Sequence, residues 1–295
     1  MPLDVAQWRT EVHENSTAFS VRYSKKLFEG QSAFQRVEIL DTDRMGRVLL
    51  LDGLFMVTEK DHFIYHEMLV HPAMHVIPDP RRVLVIGGGD GGTVTELVKH
   101  PGLESVVLCE IDEMVVSSCR EFMPAVSAGL DDPRVEIVCR DGAAFVREHP
   151  GEFDLILVDS TDPIGPGVVL FEEPFYESVK KALRTGGAAV FQTESPLFME
   201  KTFRTSVGRL RRVFGSSKAR PYVAVISSYP GGLWSFTFCS ELREPVAEAP
   251  SALPAYLDGR LRYYDAQVHT SAFVVPVFVR EALLTHEGPA KSDAR

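Results

Sequence analysis

Short apolar runs separated by polar turns fill the first sixty residues. Residues 19–23, 35–40 and 47–51 predict three strands, punctuated by Asp41-Thr-Asp-Arg44 and Leu51-Asp-Gly53, and together describe a small antiparallel β unit. From Asp61 to about His75 the spacing becomes helical, and Pro78 and Pro80 then break the chain. The division between two units is expected inside this helix, giving an N-terminal β domain over 1–68 and a second domain over 69–295. After Pro80 strands and helices alternate: strand 82–86, helix 93–99, strand 105–110, helix 112–122, strand 135–139 and strand 155–159. Such alternation predicts an α/β fold with a parallel sheet covered on both faces. A helix over 174–183, a strand over 188–192, and strands 222–226 and 233–239 around Tyr229-Pro-Gly-Gly232 complete the prediction. No internal repeat or low-complexity segment is visible.

Composition narrows the class. A chain of 295 residues with 45% apolar and 24% charged side chains is ordinary globular protein of about two domains, so disorder and a disulfide scaffold are excluded. The net charge is −10, and no basic block exceeds the pair Arg211-Arg212, so nucleic acid is not an expected partner. The opening residues, with Asp4, Arg9, Glu11 and Glu14, lack the apolar stretch of a signal peptide, and the apolar run at Val274-Val275 stops at Pro276, so no membrane span is expected. Cys109, Cys119, Cys139 and Cys239 show no C-x-x-C spacing, which suits a reducing cytosol and a cytoplasmic protein.

Candidate chemistry begins where the first parallel strand ends. Val83-Leu-Val-Ile-Gly87-Gly-Gly-Asp90-Gly-Gly92 turns directly into a helix, where bare backbone lets a nucleotide approach at the strands' carboxyl ends. Glu110 ends the following strand about twenty residues further on, where an acid accepts ribose hydroxyls. Asp90 lies inside the turn, and a phosphate or carboxylate beside it would meet a like charge, so the ligand group there is expected to be cationic. That opposes NAD and intact S-adenosylmethionine and favours a nucleoside with an amine tail. Asp141-Gly142, after the third strand, reads equally as an acceptor for an adenine amino group or as a helix N-cap.

The second constellation is Leu155-Ile-Leu-Val-Asp159-Ser-Thr-Asp162-Pro163-Ile-Gly165-Pro166, which places two carboxylates in a proline-stiffened loop at the end of a buried strand. Turn formation accounts for Asp162 but not for Asp159. Freeing an amine of pKa about 10 at pH 7 costs about 4 kcal/mol, so an amine acceptor needs a base, and Asp159 is assigned that role. No metal site is expected. His66 and His71 are five apart and point to different sides of a helix, while His62 and His66, four apart, have no third ligand at a recognisable spacing. Phe171, Phe175, Phe191, Phe198, Phe203 and Trp234 read as core, and the basic stretch 209–220 as a solvated helix face with its following loop.

The glycine run 87–92, Glu110-Ile-Asp112, the loop 159–166, Phe63-Ile-Tyr-His-Glu-Met68 and Tyr263-Tyr264 with His269 together resemble the spermidine synthases, the polyamine aminopropyltransferases. The resemblance spans nearly the whole chain. It implies a small N-terminal antiparallel β domain, a Rossmann-like domain of the class I methyltransferase type, and a homodimer or homotetramer. It further implies aminopropyl transfer from decarboxylated S-adenosylmethionine, a co-substrate rather than a cofactor, to putrescine. By the same resemblance Gln35, Asp90, Glu110, Asp141, Gly142 and Pro166 surround the nucleoside, and Tyr65, His66, Asp159, Asp162 and Tyr229 line the amine pocket, with Asp159 as proton acceptor. Met56, His62, Thr95 and Ser227-Ser228 stand where family members commonly carry Gln, Glu, Arg and Pro-Thr. Another amine acceptor, a methyltransferase and a silent polyamine-binding protein are the alternatives.

Overall fold

Five strands form an antiparallel meander in the first sixty residues: β1 (Trp8–His13), β2 (Thr17–Gln31), β3 (Arg36–Thr42), β4 (Gly46–Leu51) and β5 (Leu54–Thr58). The structure is a computed structural model that describes residues 7–13 and 15–284; Asp4 and Glu14 lie outside the described residues. Two of these strands, β1 and β5, have no counterpart in the predicted set. Polar side chains at alternate positions of β1 mask its pattern, although Glu11 within it is buried. Strand β5 follows β4 after the tight turn Asp52-Gly53, both at positive φ, a geometry that closes a two-residue hairpin. β2 is far longer than the five residues expected, because it pairs with β1 along one edge and β3 along the other.

A long helix, α1 (His62–Val76), leads into the second sheet. The following elements are β6 (Arg82–Gly87), α2 (Gly92–Leu97), β7 (Ser105–Glu110), α3 (Glu113–Phe122), α4 (Pro124–Ser127), β8 (Val135–Cys139), α5 (Gly142–Glu148), β9 (Phe153–Asp159), α6 (Glu173–Ala182), β10 (Leu183–Gln192), α7 (Glu200–Phe214), β11 (Ala219–Val225), β12 (Leu233–Cys239), α8 (Ala266–Ala272) and α9 (Val277–Leu284). The strand order is β11-β12-β10-β9-β6-β7-β8, parallel from β10 to β8 and antiparallel through β12 and β11. The chain moves outward from β6 to β8 and then returns to place β9 on the other side of β6. This is the switch point where an open α/β sheet leaves a crevice at its carboxyl ends. Gly87 of β6 pairs in register with Asp159 of β9, so both predicted loops start side by side. Among the described residues no helix is long and apolar enough to cross a membrane.

Helix α1 is buried along nearly its whole length and packs on α2, β9, β10 and β11. Its burial raises a backbone problem, because Pro72 has no N–H to give to the Met68 carbonyl one turn earlier. The hydroxyl of Tyr222, reaching from β11, donates to that carbonyl at 2.7 Å. Glu67, next along the helix, accepts the backbone N–H groups of Arg262, Tyr263 and Tyr264 at 2.8–2.9 Å and so ties the C-terminal segment to α1. The aromatic expectations divide. Phe171, Phe175, Phe191, Phe203 and Trp234 are buried as expected, but Phe198 is exposed, because it precedes α7 in an open turn. The basic stretch is less solvated than expected: Arg209 and Arg212 pair with Glu172 and Glu173, and Arg211 donates to the Leu283 carbonyl.

Tyr222→Phe removes one hydroxyl and leaves a buried carbonyl unpaired, so a loss of about 1–3 kcal/mol in denaturant stability is expected. In a Pro72→Ala background the helix regains its own donor, and the same substitution should then cost less than half as much.

Candidate active site

The residues expected to touch ligands converge on one cleft of about 350 Å3 between the two sheets. Gln35, Tyr65, His66, Asp90, Glu110, Asp141, Gly142, Asp159, Asp162, Pro166 and Tyr229 all line it. Gln35 and Asp112 are joined by a 3.0 Å hydrogen bond from the Gln35 amide, which fixes the N-terminal sheet against the start of α3. Asp141 caps α5 by accepting from Ala143 and Ala144 and also faces the cleft, so both readings of that residue have a structural basis. Pro166 opens a short turn of 3-10 helix over Gly165–Phe171 at the cleft's rim.

The glycine run serves the protein's own side chains as much as a ligand. Gly88 sits at φ +70°, and a Cβ there would lie 2.7 Å from the Asp159 carboxylate. A Cβ on Gly92 would strike the His66 ring at 2.1 Å. These glycines therefore let an acid from β9 and an imidazole from α1 pack directly on the turn.

Charge in the cleft is organised around that packing. Asp90 is buried and accepts from Gly92 N–H at 2.8 Å and from His66 Nε2 at 3.3 Å. Burial disfavours its charge, but His66 and the Gly92 N–H together outweigh this and hold Asp90 below the usual aspartate range. Burial likewise opposes a charge on His66, and Asp90 and then Asp159 reverse it, so the imidazole is held above its ordinary pKa. His66, adjacent in space but remote in sequence, offsets part of the charge of Asp90. Asp159 is pushed up, first by burial and then by the charge of Asp90; His66, Thr93 and Tyr65 pull it part of the way back. The Thr93 hydroxyl donates to Asp159 at 2.6 Å. His66, Asp90 and Asp159 bring a ring nitrogen and two carboxylate oxygens within 4.8 Å of one another, so one imidazole faces two carboxylates. Glu110 accepts from Gly89 and Asp112 backbone N–H groups, and burial raises it to about 7.

A second acidic group lies beyond Tyr65 and Tyr229, and the sequence reading did not contain most of it. A side recess of about 40 Å3 is lined by Glu11, Asp162, Gln192, Tyr229 and Trp234, among others. Asp162 shares a hydrogen bond with Glu194, and burial followed by the Asp162 charge pushes Glu194 well above the carboxylate range. Glu194 is buried at φ +69°, an uncommon backbone for a non-glycine residue, and Gln192 donates to it at 3.1 Å. Glu11 is also raised by burial. Two of these acids come from β1 and from the end of β10, and no local spacing links them to Asp162. The only sequence signal was an acid shortly after an apolar strand, in Phe191-Gln-Thr-Glu194.

The residues that depart from the family pattern also have places. Met56 lines the cleft and its carbonyl accepts the Tyr229 hydroxyl at 2.8 Å. His62 lies against His66. Ser227 and Ser228 donate to Asp61 at the start of α1. Thr95 is structural, since its hydroxyl joins Val126 O and Gly129 N.

Comparison with known proteins agrees with this architecture. The chain matches the spermine/spermidine synthase domain over residues 62–248 and the spermidine synthase tetramerisation domain over residues 7–59. It is 44% identical over 274 residues to a polyamine aminopropyltransferase of Thermoanaerobacter sp., covering 93% of this chain and 97% of the relative. It is 44% identical over 276 residues to that of Moorella thermoacetica, covering 94% and 96%. Among solved structures, a spermidine synthase in complex with the transition-state analogue AdoDATO superimposes with a TM-score of 0.89 at 38% identity, covering 94% of this chain and 95% of that one. The spermidine synthase of Thermotoga maritima gives 0.88 at 38% identity, covering 94% of each. The two-sheet architecture is thus shared with spermidine synthases of known structure, and the chain belongs to the spermine/spermidine synthase family of polyamine aminopropyltransferases.

Proposed function

We propose that the chain transfers the aminopropyl group of decarboxylated S-adenosylmethionine to putrescine, yielding spermidine and 5′-methylthioadenosine. The observation that carries this reading is the spacing of acid along the cleft. Asp90 and Asp159 lie at the glycine turn, Asp162, Glu194 and Glu11 lie at the recess, and the aromatic walls of Tyr65 and Tyr229 stand between. A diamine has the matching form, with a cation at each end and an apolar linker between them. Burial and the neighbouring Asp162 charge hold Glu194 well above the carboxylate range, and an incoming ammonium supplies the opposite charge that lets this acid pair ionise.

The reaction follows from charge and position. The nitrogen lone pair of the acceptor forms a bond to the carbon beside the sulfonium, the carbon–sulfur bond breaks with its electron pair going to sulfur, and the released proton passes to Asp159. Raising that carboxylate's pKa by burial brings it nearer to the amine it must deprotonate. Thr93 and Tyr65 orient it. Glu110 receives the ribose hydroxyls and Asp141 the adenine amino group. Decarboxylated S-adenosylmethionine is consumed as a co-substrate, so the reading calls for no cofactor. A homodimer or homotetramer in the cytosol belongs to the same proposal, supported by the match at residues 7–59 and by four unpaired thiols.

An amine panel with decarboxylated S-adenosylmethionine as donor, read as methylthioadenosine by mass spectrometry, should rank putrescine first; a preference for cadaverine, agmatine or spermidine would reassign the acceptor. Asp159→Asn should reduce turnover by about 10² to 10⁴ while leaving donor binding within a few-fold. Because the ionised form is the base and its pKa is raised, kcat/KM should fall with acid at a pH above the ordinary aspartate range. Donor binding should weaken about tenfold between pH 8 and pH 6, because protonating Glu110 near pH 7 removes the acceptor for the ribose. Glu110→Gln should abolish that dependence.

A further inference from the structure

His62 stands at the first turn of α1 with its Nδ1 3.2 Å from the Nδ1 of His66. The other nitrogen of His66, Nε2, faces Asp90 at 3.3 Å. Asp90 is an acceptor only, so His66 Nε2 carries a hydrogen. The Nδ1–Nδ1 contact then has two possible polarities. Either His66 is the imidazolium and donates to a neutral His62, or His66 is neutral and accepts from His62.

The surroundings choose between them. His66 is walled in by the Asp90 and Asp159 carboxylates, with Glu96 of α2 behind them. Asp90 and Glu96 also act on His62, but His62 feels in addition the positive charge of Arg262, whose guanidinium is held 3.7 Å from the ring centroid of the adjacent residue Phe63. Burial and the charge of His66 lower His62 to about 4, with Asp90 and Glu96 acting in the opposite sense. The 3.3 Å approach of Asp90 and these neighbouring charges favour the proton on His66 over His62. Its ring cannot turn away, because it lies flush on Gly92, where even a Cβ would not fit.

We propose that His62 is a positioning residue for the transfer reaction: its neutral Nδ1 accepts the Nδ1–H of His66, keeping His66 a doubly donating cation between Asp90 and Asp159. Without that acceptor the buried Nδ1–H of His66 is left unpaired, and the imidazolium is no longer favoured. Loss of the positive charge beside Asp159 then makes the carboxylate harder to ionise. The inference rests on Asp159 as the base, and it adds a control point one residue further out.

Two measurements test it. In free enzyme labelled with 15N-histidine, both ring nitrogens of His66 should show imidazolium shifts at pH 7 and His62 should be neutral. His62→Phe should lower the midpoint of His66 by about one pH unit and move the acid limb of kcat/KM upward by a similar amount. His62→Gln, which keeps an acceptor oxygen but does not titrate, should restore both to within a few tenths of a unit. A neutral His66 at pH 7 in the wild-type enzyme overturns the proposal, as does a His62→Phe enzyme with the wild-type pH profile. The NMR titration needs no turnover, so its result stands apart from the Asp159→Asn test of the base itself. Should His62→Phe fail to fold, the wild-type titration and the glutamine variant still decide.

Discussion

Carboxylates buried beside carboxylates are costly, and the cleft of this chain is built around that cost. Each buried ion loses several kcal/mol of hydration unless hydrogen bonds or opposite charge replace it. The register of β6 on β9 pairs Gly87 with Asp159, and the glycine turn that follows β6 brings Asp90 close to the same carboxylate. Backbone N–H groups, the Thr93 hydroxyl and the single imidazole of His66 offset part of the penalty. What remains is a standing demand for a cation. The proposed reaction holds two cationic substrates together against their mutual repulsion, a task that such a demand serves, and the same burial raises the pKa of the proposed base.

Much of the rest of the fold serves to keep His66 where it is. It rides on α1, a helix buried on almost every side and interrupted by Pro72, whose missing hydrogen bond Tyr222 supplies from β11. Glu67 fastens the C-terminal segment to that helix, and Asp61 fastens its start to Ser227 and Ser228. Thus residues distant from the cleft fix an imidazole, and the imidazole sets the charge of two carboxylates.

The elements at the carboxyl end of the parallel sheet were legible because strand, glycine turn and acid follow one another in sequence. Asp90, Glu110 and Asp159 could be read from that order alone, and the parallel sheet from its alternating rhythm. Strand β1 was not legible, since its polar alternate positions hide a buried Glu11, which accepts from Phe55 N–H of β5 and reaches the recess that Asp162 also lines. Glu194 was missed for a similar reason: its strained backbone and its bond to Asp162 arise from packing between β10 and the loop after β9. The His66–Asp90 pair needed α1 to be laid across the glycine turn, which local periodicity does not specify. The glycines themselves were legible as a site where atoms approach closely, but the approaching atoms belong to His66 and Asp159.

The demand for a cation at Asp90 is tested most directly by calorimetric titration of the wild-type enzyme with S-adenosylmethionine and with its decarboxylated form under the same conditions. The two differ only by a carboxylate at the end of the aminopropyl arm. With His66 compensating part but not all of the local charge, the decarboxylated compound should bind at least about tenfold more tightly, a difference of about 1.4 kcal/mol. Equal affinity, or preference for the carboxylate, would contradict an acid-walled cleft that selects by charge.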